Sequence, residues 1–188
     1  MTSRVDSIFY SWQSDLDSRT NRGFIRSALD GAARSAVVED ANREFRVESD
    51  TQGVPGAPDV KQTILAKIEG ASIFVADVSL INTGSSKRPL TPNPNVMFEL
   101  GFAVHVIGWN RIILVVNLAT GAIEDLPFDI RMHRPLIYTA APGTSELSAA
   151  RSELREKLAR AIEVIAAVPL PIVSKNPGSL HKTEKIVR

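Results

Sequence analysis

The sequence predicts an α/β protein of the flavodoxin-like type, a doubly wound parallel sheet of five strands in the order 2-1-3-4-5. Short apolar runs of strand length alternate with longer segments whose apolar residues recur every three or four positions. Two of the runs, ASIFVADV and RIILVVN, are apolar almost throughout, which is typical of central strands covered on both faces. Right-handed crossovers then place helices on both sides of the sheet.

The first half of the chain predicts two strands and two helices. Residues 7–11 are aromatic or branched at most positions, and residues 44–49 alternate apolar with charged side chains, as an edge strand does. Between these two strands, residues from about 20 to 38 carry one apolar helical face. Asp59 can cap the second helix, which ends at Gly70.

The second half predicts three more strands and two more helices. Asn93 followed by Pro94 is a helix-start signature, an N-cap before a proline at the first helical position. That helix is apolar nearly all round, so we expect it inside the domain rather than on its surface. The predicted elements are strands at 71–78, 111–117 and 135–139, helices at 94–107 and 145–167, and a turn at 126–131.

Length and composition predict a single domain at residues 1–168, followed by a linker or tail at residues 169–188. A net charge of +1 gives no electrostatic footprint for nucleic acid or an anionic membrane. The chain has no cysteine, which excludes disulfides and thiolate chemistry. Since neither a signal peptide nor a membrane-spanning run is evident, we expect a cytoplasmic protein.

Glu99 is the first candidate for chemistry. It lies in the middle of the apolar helix, too far from the helix start to act as a cap. A lone carboxylate there is costly unless it is paired or faces a cavity. Glu99 therefore either pairs with an arginine from a neighbouring segment or lines a small-molecule pocket, with Asn95 on the same helical face.

Polar residues at the ends of strands one and three form the rest of the candidate site. Doubly wound sheets bind ligands where the strand order reverses, here between these two strands. Each residue also has a structural alternative: a turn hydroxyl for Ser11, a packed aromatic for Trp12, a loop cap for Asp77. His105 and His133 are expected to be structural, and no metal-ligand spacing is evident. The predicted substrate-binding residues are Tyr10, Ser11, Trp12, Asp77, Ser79 and Asn95.

The sequence lacks the motifs of several common reactions. No G-x-G-x-x-G pattern opens a helix, and neither a P-loop nor a G-x-S-x-G elbow occurs. A pocket with one essential carboxylate suits cleavage of a bond to an anomeric carbon, where the carboxylate stabilises oxocarbenium character or acts as nucleophile. With a cationic leaving group such as nicotinamide no general acid is needed, so one glutamate can suffice.

Five stretches, at residues 8–15, 50–59, 73–79, 93–101 and 126–131, together resemble bacterial TIR-like domains, over about residues 5 to 165. The helix segment ELGFA, which begins at Glu99, is also similar to the corresponding helix of nucleoside 2-deoxyribosyltransferases, which share this fold. The sequence departs from the commoner TIR pattern at residues 92–96 and in an insertion at residues 81–90. The five stretches are IFYSWQSD (8–15), DTQGVPGAPD (50–59), IFVADVS (73–79), NPNVMFELG (93–101) and LPFDIR (126–131).

The resemblance implies cleavage of the nicotinamide–ribose bond of NAD+, with a linear or cyclised ADP-ribose product and no cofactor besides the substrate. It implies that Glu99 is the catalytic residue and that the loop containing Gly53, Val54 and Pro55 mediates self-association. It also implies a role in antiphage defence, switched on by self-association, a sensor domain or a partner. Two other functions stay open, a non-catalytic nucleotide-binding or self-associating scaffold and a deoxyribosyltransferase-like enzyme.

Overall fold

The structure is a computed structural model that describes residues 4–36, 43–50, 59–82 and 90–168. Five parallel strands form one sheet in the order β2-β1-β3-β4-β5, which confirms the predicted flavodoxin-like fold and strand order. The strand order reverses between β1 and β3, as predicted. The strands are β1 (Arg4–Ser11), β2 (Arg43–Glu48), β3 (Ile73–Asp77), β4 (Ile112–Asn117) and β5 (Leu136–Tyr138).

Helices cover both faces of the sheet. One apolar core lies beneath α1 and α5, and a second lies beneath α2 and α3. The segment predicted as a turn at residues 126–131 contains a short helix. None of the helices in the described ranges is both long and apolar enough to cross a membrane. The helices are α1 (Arg22–Ser35), α2 (Val60–Glu69), α3 (Pro94–Ile107), α4 (Phe128–Arg131) and α5 (Leu147–Ala166).

Helix α3 differs from its prediction. Its fully buried residues are Val96, Leu100 and Ala103, which face the sheet. The opposite side is exposed, and the side chain of Phe98 on it is 53% accessible. The expectation that this helix lies inside the domain is therefore wrong, because a helix that covers a sheet has only one face to bury. Its outward apolar residues need another explanation.

Charged side chains hold the amino-terminal edge of the sheet. Asp6 is buried and accepts hydrogen bonds from two arginines, one of them Arg43. Arg43 also donates to the carbonyl oxygen of Ala166 (2.7 Å), and Arg111 donates to that of Val168 (3.0 Å). These bonds occupy carbonyl groups that the end of α5 leaves without a helical partner. They fasten α5 at the edge of the sheet away from the candidate site.

Candidate active site

Glu99 is positioned by the start of α3. The side-chain oxygen of Asn93 accepts hydrogen bonds from the backbone N–H groups of Asn95 (2.8 Å) and Val96 (3.2 Å), which is N-capping geometry. The amide group of Asn93 donates to Asp15 (2.6 Å), in the loop that follows β1. The cap therefore ties the beginning of α3 to that loop, and Glu99 lies between one and two turns further along the helix.

Glu99 has one hydrogen-bond partner among the described residues, the hydroxyl of Ser11, which donates to Oε2 at 2.5 Å. Ser11 is the last residue of β1 and is buried. Within the described ranges no lysine or arginine forms an ion pair with Glu99, in contrast to the arginine-paired alternative. Burial raises the pKa of Glu99, and the hydrogen bond from Ser11 opposes part of that rise.

A cavity of about 240 Å³ opens beside Glu99. It lies beyond the carboxyl end of β1, at the strand-order reversal where folds of this type bind ligands. Among the described residues that line it are two carboxylates, Asp50 and Glu99, and no lysine or arginine. The described part of its lining therefore contains acidic side chains and no basic ones. The lining residues are Phe9, Tyr10, Ser11, Trp12, Gln13, Ser14, Asp50, Ile64, Asn93, Asn95 and Glu99.

Trp12 and Asn95 border this cavity, as the sequence predicted. The guanidinium carbon of Arg22 lies 4.4 Å from the centre of the Trp12 ring, close enough for a cation–π interaction. That contact restricts the ring while leaving the half-buried indole at the cavity wall. Asn95 is exposed, one helical turn before Glu99. An indole face and a side-chain amide are both suitable contacts for a nucleotide ring and its sugar hydroxyls.

Tyr10 borders the cavity, but its side chain is directed elsewhere. The ring is almost completely buried in the core beneath α1, and its hydroxyl donates to the carbonyl oxygen of Arg22 (3.4 Å). Successive residues of a strand point to opposite faces of a sheet. Since Ser11 reaches Glu99 on the α3 side, the Tyr10 ring has to lie on the other side. The structure does not bring this ring to the predicted site.

Asp77 and Ser79 do not line the cavity either. Asp77 is completely buried and accepts hydrogen bonds from Gln13 (3.3 Å), Asn21 (3.3 Å) and the backbone N–H of Ser79 (3.1 Å). The Ser79 hydroxyl accepts from the backbone N–H of Asn117 (2.9 Å). Burial raises the pKa of Asp77, and these hydrogen bonds oppose the rise. Asp77 therefore caps the loop after β3, which was its structural alternative to a role in substrate binding.

Asp50 is a cavity residue that the sequence analysis missed. It follows β2, and β2 pairs with β1, so the ends of both strands lie at the same edge. Its backbone φ of 43° is in the left-handed region, which aspartate tolerates better than most residues. The available signal was its position directly after a strand neighbouring β1. A residue at that position lines the same cavity as Ser11.

The remaining predicted residues give little further information on the site. Gly53, Val54 and Pro55 lie outside the described residues, as do the tail at 169–188 and most of the predicted insertion. His105 is exposed, and His133 stacks on Trp109. Across the described ranges no group of three or more histidine, aspartate or glutamate side chains is arranged to hold a metal ion.

Comparison with known proteins identifies no family for this chain. No family model and no curated protein matches the sequence. Any function assigned to the chain therefore has to rest on the geometry around Glu99, on the charge of the cavity and on the resemblance of the five stretches. The first two concern the same edge of the sheet.

Proposed function

We propose that the protein cleaves the N-glycosidic bond between nicotinamide and ribose in NAD+, with Glu99 as the catalytic carboxylate. The observation that carries the proposal is the setting of Glu99, which reaches a cavity at the strand-order reversal without an ion pair to any described residue. A carboxylate in that setting is available to a positive charge that develops in the cavity. The five stretches that resemble bacterial TIR-like domains support the same reaction.

The reaction requires one bond to break and one to form. The bond between the anomeric carbon and the pyridinium nitrogen breaks, its electron pair stays on the nitrogen, and nicotinamide leaves as a neutral molecule. The positive charge passes to the anomeric carbon and the ribose ring oxygen, where the carboxylate of Glu99 stabilises it. Water then adds to the anomeric carbon and loses a proton to the solvent, giving ADP-ribose. Attack by an adenine nitrogen instead of water would give the cyclic product.

The charge of the cavity favours this substrate over a deoxynucleoside. Glu99 lines the cavity and forms no ion pair with a described lysine or arginine, so its negative charge attracts a cationic pyridinium ring. A deoxynucleoside is neutral and would gain nothing from that charge. A non-catalytic scaffold finds no specific support among the described residues. A cytoplasmic antiphage effector activated by self-association remains part of the proposal, supported by the resemblance alone.

The test is nicotinamide release from NAD+ by purified protein, followed chromatographically over a range of protein concentrations, because self-association is part of the proposal. We expect release by the wild type and at least a hundredfold slower release by Glu99→Gln, the scale expected when one essential charged group is removed. Glu69→Gln is the matched control, since Glu69 is exposed at the far end of α2.

Circular dichroism and a thermal melt should show that both variants keep the wild-type fold. Equal release by Glu99→Gln and the wild type would remove Glu99 from the reaction. NAD+ binding without release at any concentration would favour the scaffold. Transfer of deoxyribose from a deoxynucleoside to a free base, without nicotinamide release from NAD+, would favour the transferase.

A further inference from the structure

A second cavity, of about 570 Å³, adjoins the first between α2 and α3. We call it the α2–α3 groove. Ile64, Asn95 and Glu99 line both spaces, so the two meet at these residues. A ligand longer than the first cavity can therefore extend into the groove without leaving the site. The groove is lined by Val60, Lys61, Ile64, Leu65, Asn95, Phe98 and Glu99.

The far part of the groove differs in charge from the first cavity. Lys61 is exposed there and forms no ion pair with a carboxylate in the described part of the chain. Its Nζ lies 5.0 Å from the centre of the Phe98 ring, within cation–π range. Val60, 58% exposed, and Leu65 add apolar surface next to this pair. The groove therefore offers a positive charge packed against an exposed aromatic ring.

We propose that the α2–α3 groove is a second substrate subsite, which binds the phosphate groups and the second aromatic base of a dinucleotide. The cationic half of that dinucleotide occupies the first cavity. Lys61 pairs with a phosphate, and Phe98 provides the ring face on which the base stacks. This assignment gives the exposed side chain of Phe98 on α3 a role in binding. This inference rests on the proposed function, since it assigns the remainder of the same substrate.

The charge division between the two spaces supports this assignment. Glu99 contributes to the first cavity a carboxylate that forms no ion pair with a described residue, and its negative charge attracts a pyridinium ring. Lys61 makes the groove basic at its far part. A molecule with a cation at one end, phosphates in the middle and an aromatic base at the other end fits this order. Lys61 and Phe98 are therefore specificity residues and take no part in bond cleavage.

The kinetic test compares three substrates that share the scissile bond: NAD+, nicotinamide mononucleotide and nicotinamide riboside. We expect Phe98→Ala to raise KM for NAD+ about tenfold, the scale of one lost base–aromatic stack, and to leave the two smaller substrates unchanged. Lys61→Gln should raise KM for both phosphate-containing substrates and leave the riboside unchanged. Phe128→Ala is the matched control, since Phe128 is a 63% exposed phenylalanine that lines neither cavity.

A binding test removes the dependence on turnover. ADP-ribose, which contains the phosphates and the adenine but no nicotinamide, is titrated calorimetrically into Glu99→Gln protein. Adding Lys61→Gln or Phe98→Ala to that background should weaken binding about tenfold, and the effect of Lys61 should shrink as salt is raised. The Phe128→Ala addition should leave the affinity unchanged.

The outcomes separate the two proposals. If the wild type cleaves all three substrates and the Lys61 and Phe98 variants change them equally or not at all, the subsite is wrong and the NAD+-cleaving activity stands. If the wild type cleaves none of them, the proposed function fails. In that case, loss of ADP-ribose affinity in the two variants would still support the groove as a nucleotide site, and unchanged affinity would overturn it.

Discussion

Glu99 and Asp77 are two carboxylates near the same edge of the sheet, and burial raises the pKa of both. Their surroundings differ in access and in hydrogen bonding. Among the described residues, three donors bond to the completely buried Asp77, whereas Glu99 is partly exposed at a cavity and accepts from Ser11 alone. A raised pKa by itself therefore does not mark the functional acid. Free acceptor capacity next to an accessible space does.

Asp77 belongs to a buried network that holds the strand ends in place. Its donor Asn21 accepts in turn from the side chain of Asn117 (3.1 Å), which also donates to the carbonyl oxygen of Ala140 (2.8 Å). These bonds join the loop after β1 to the ends of β3, β4 and β5. Because a buried polar network is stable only when its members are all satisfied, each acceptor in it is difficult to replace. Asp77 therefore supports the site through Gln13, which donates to it and lines the cavity.

Replacing each of the two acids by its amide gives the largest expected difference in the free energy of unfolding. Asp77→Asn should lower the free energy of unfolding by about 2–3 kcal/mol, because its new NH2 group would face the NH2 groups of Gln13 and Asn21. The side-chain amides of Gln13 and Asn21 cannot flip without losing hydrogen bonds, since their oxygens already accept from other groups. Near pH 4, where Glu99 is still largely protonated in the folded protein, Glu99→Gln should change stability by less than about 1 kcal/mol, since Ser11 can still donate to its oxygen. Urea unfolding followed by circular dichroism measures both.

The activity of the same two variants gives the opposite ranking. Glu99→Gln should lose nicotinamide release and keep its fold, and Asp77→Asn, assayed well below its unfolding midpoint, should keep most of its turnover. A greater loss of stability in Glu99→Gln than in Asp77→Asn would contradict the distinction between a functional and a structural acid. Greater loss of activity in folded Asp77→Asn would contradict it from the other side.

The free energy of unfolding as a function of pH tests whether the pKa of Glu99 is raised in the folded protein. The native state holds this proton to higher pH than the unfolded chain, in which glutamate titrates near about 4.3. The contribution of Glu99 to stability is therefore fully present below that pH and is lost as the pH rises through the folded-state pKa. Glutamine does not titrate, so Glu99→Gln should gain stability relative to the wild type as the pH rises above about 4.3, and the gain should level off once the pH exceeds the folded-state pKa of Glu99.

The measurement is a set of urea unfolding curves at several pH values for the two proteins. Asp77 titrates in both of them, so its own pH dependence cancels in the difference. A stability difference that stays constant between pH 4 and pH 7 would show that burial does not raise the pKa of Glu99. If the wild type becomes more stable relative to Glu99→Gln as the pH rises, the pKa of Glu99 is lowered in the folded protein rather than raised.

The fold could be predicted from the sequence because a doubly wound sheet leaves strong local signals. The central strands are covered on both faces and therefore appear as unbroken apolar runs, while the helices between them show their periodicity. Helix α3 was harder to place. Apolar residues on all sides, Phe98 among them, look the same in a sequence whether they face a second layer or line a ligand groove.

The site was predicted in part, and the misses have different causes. Glu99 was singled out because a carboxylate in an apolar helix needs a reason, and its contact with Ser11 follows from the position of β1. The direction of the Tyr10 ring could have been predicted from strand alternation. The burial of Asp77 could not, because its donors Gln13 and Asn21 come from the loop after β1, whose path no local pattern determines.

Removing the hydroxyl of Ser11 gives the smallest and most specific expected effect. The hydrogen bond from Ser11 favours the charged form of Glu99 and lowers its pKa, so Ser11→Ala should raise that pKa further. The acidic limb of the rate profile for nicotinamide release should then move to higher pH, while the rate at alkaline pH stays close to that of the wild type. Stability should fall by only about 1 kcal/mol, the scale of one hydrogen bond.

Ser14→Ala is the matched control for this change. Ser14 also borders the cavity but is exposed and makes no hydrogen bond to Glu99 among the described contacts, so its removal should leave the pH profile in place. If Ser11→Ala and Ser14→Ala shift the acidic limb equally, the effect comes from the general polarity of the cavity. If neither shifts it, the Ser11–Glu99 hydrogen bond does not control the charge on the proposed catalytic carboxylate.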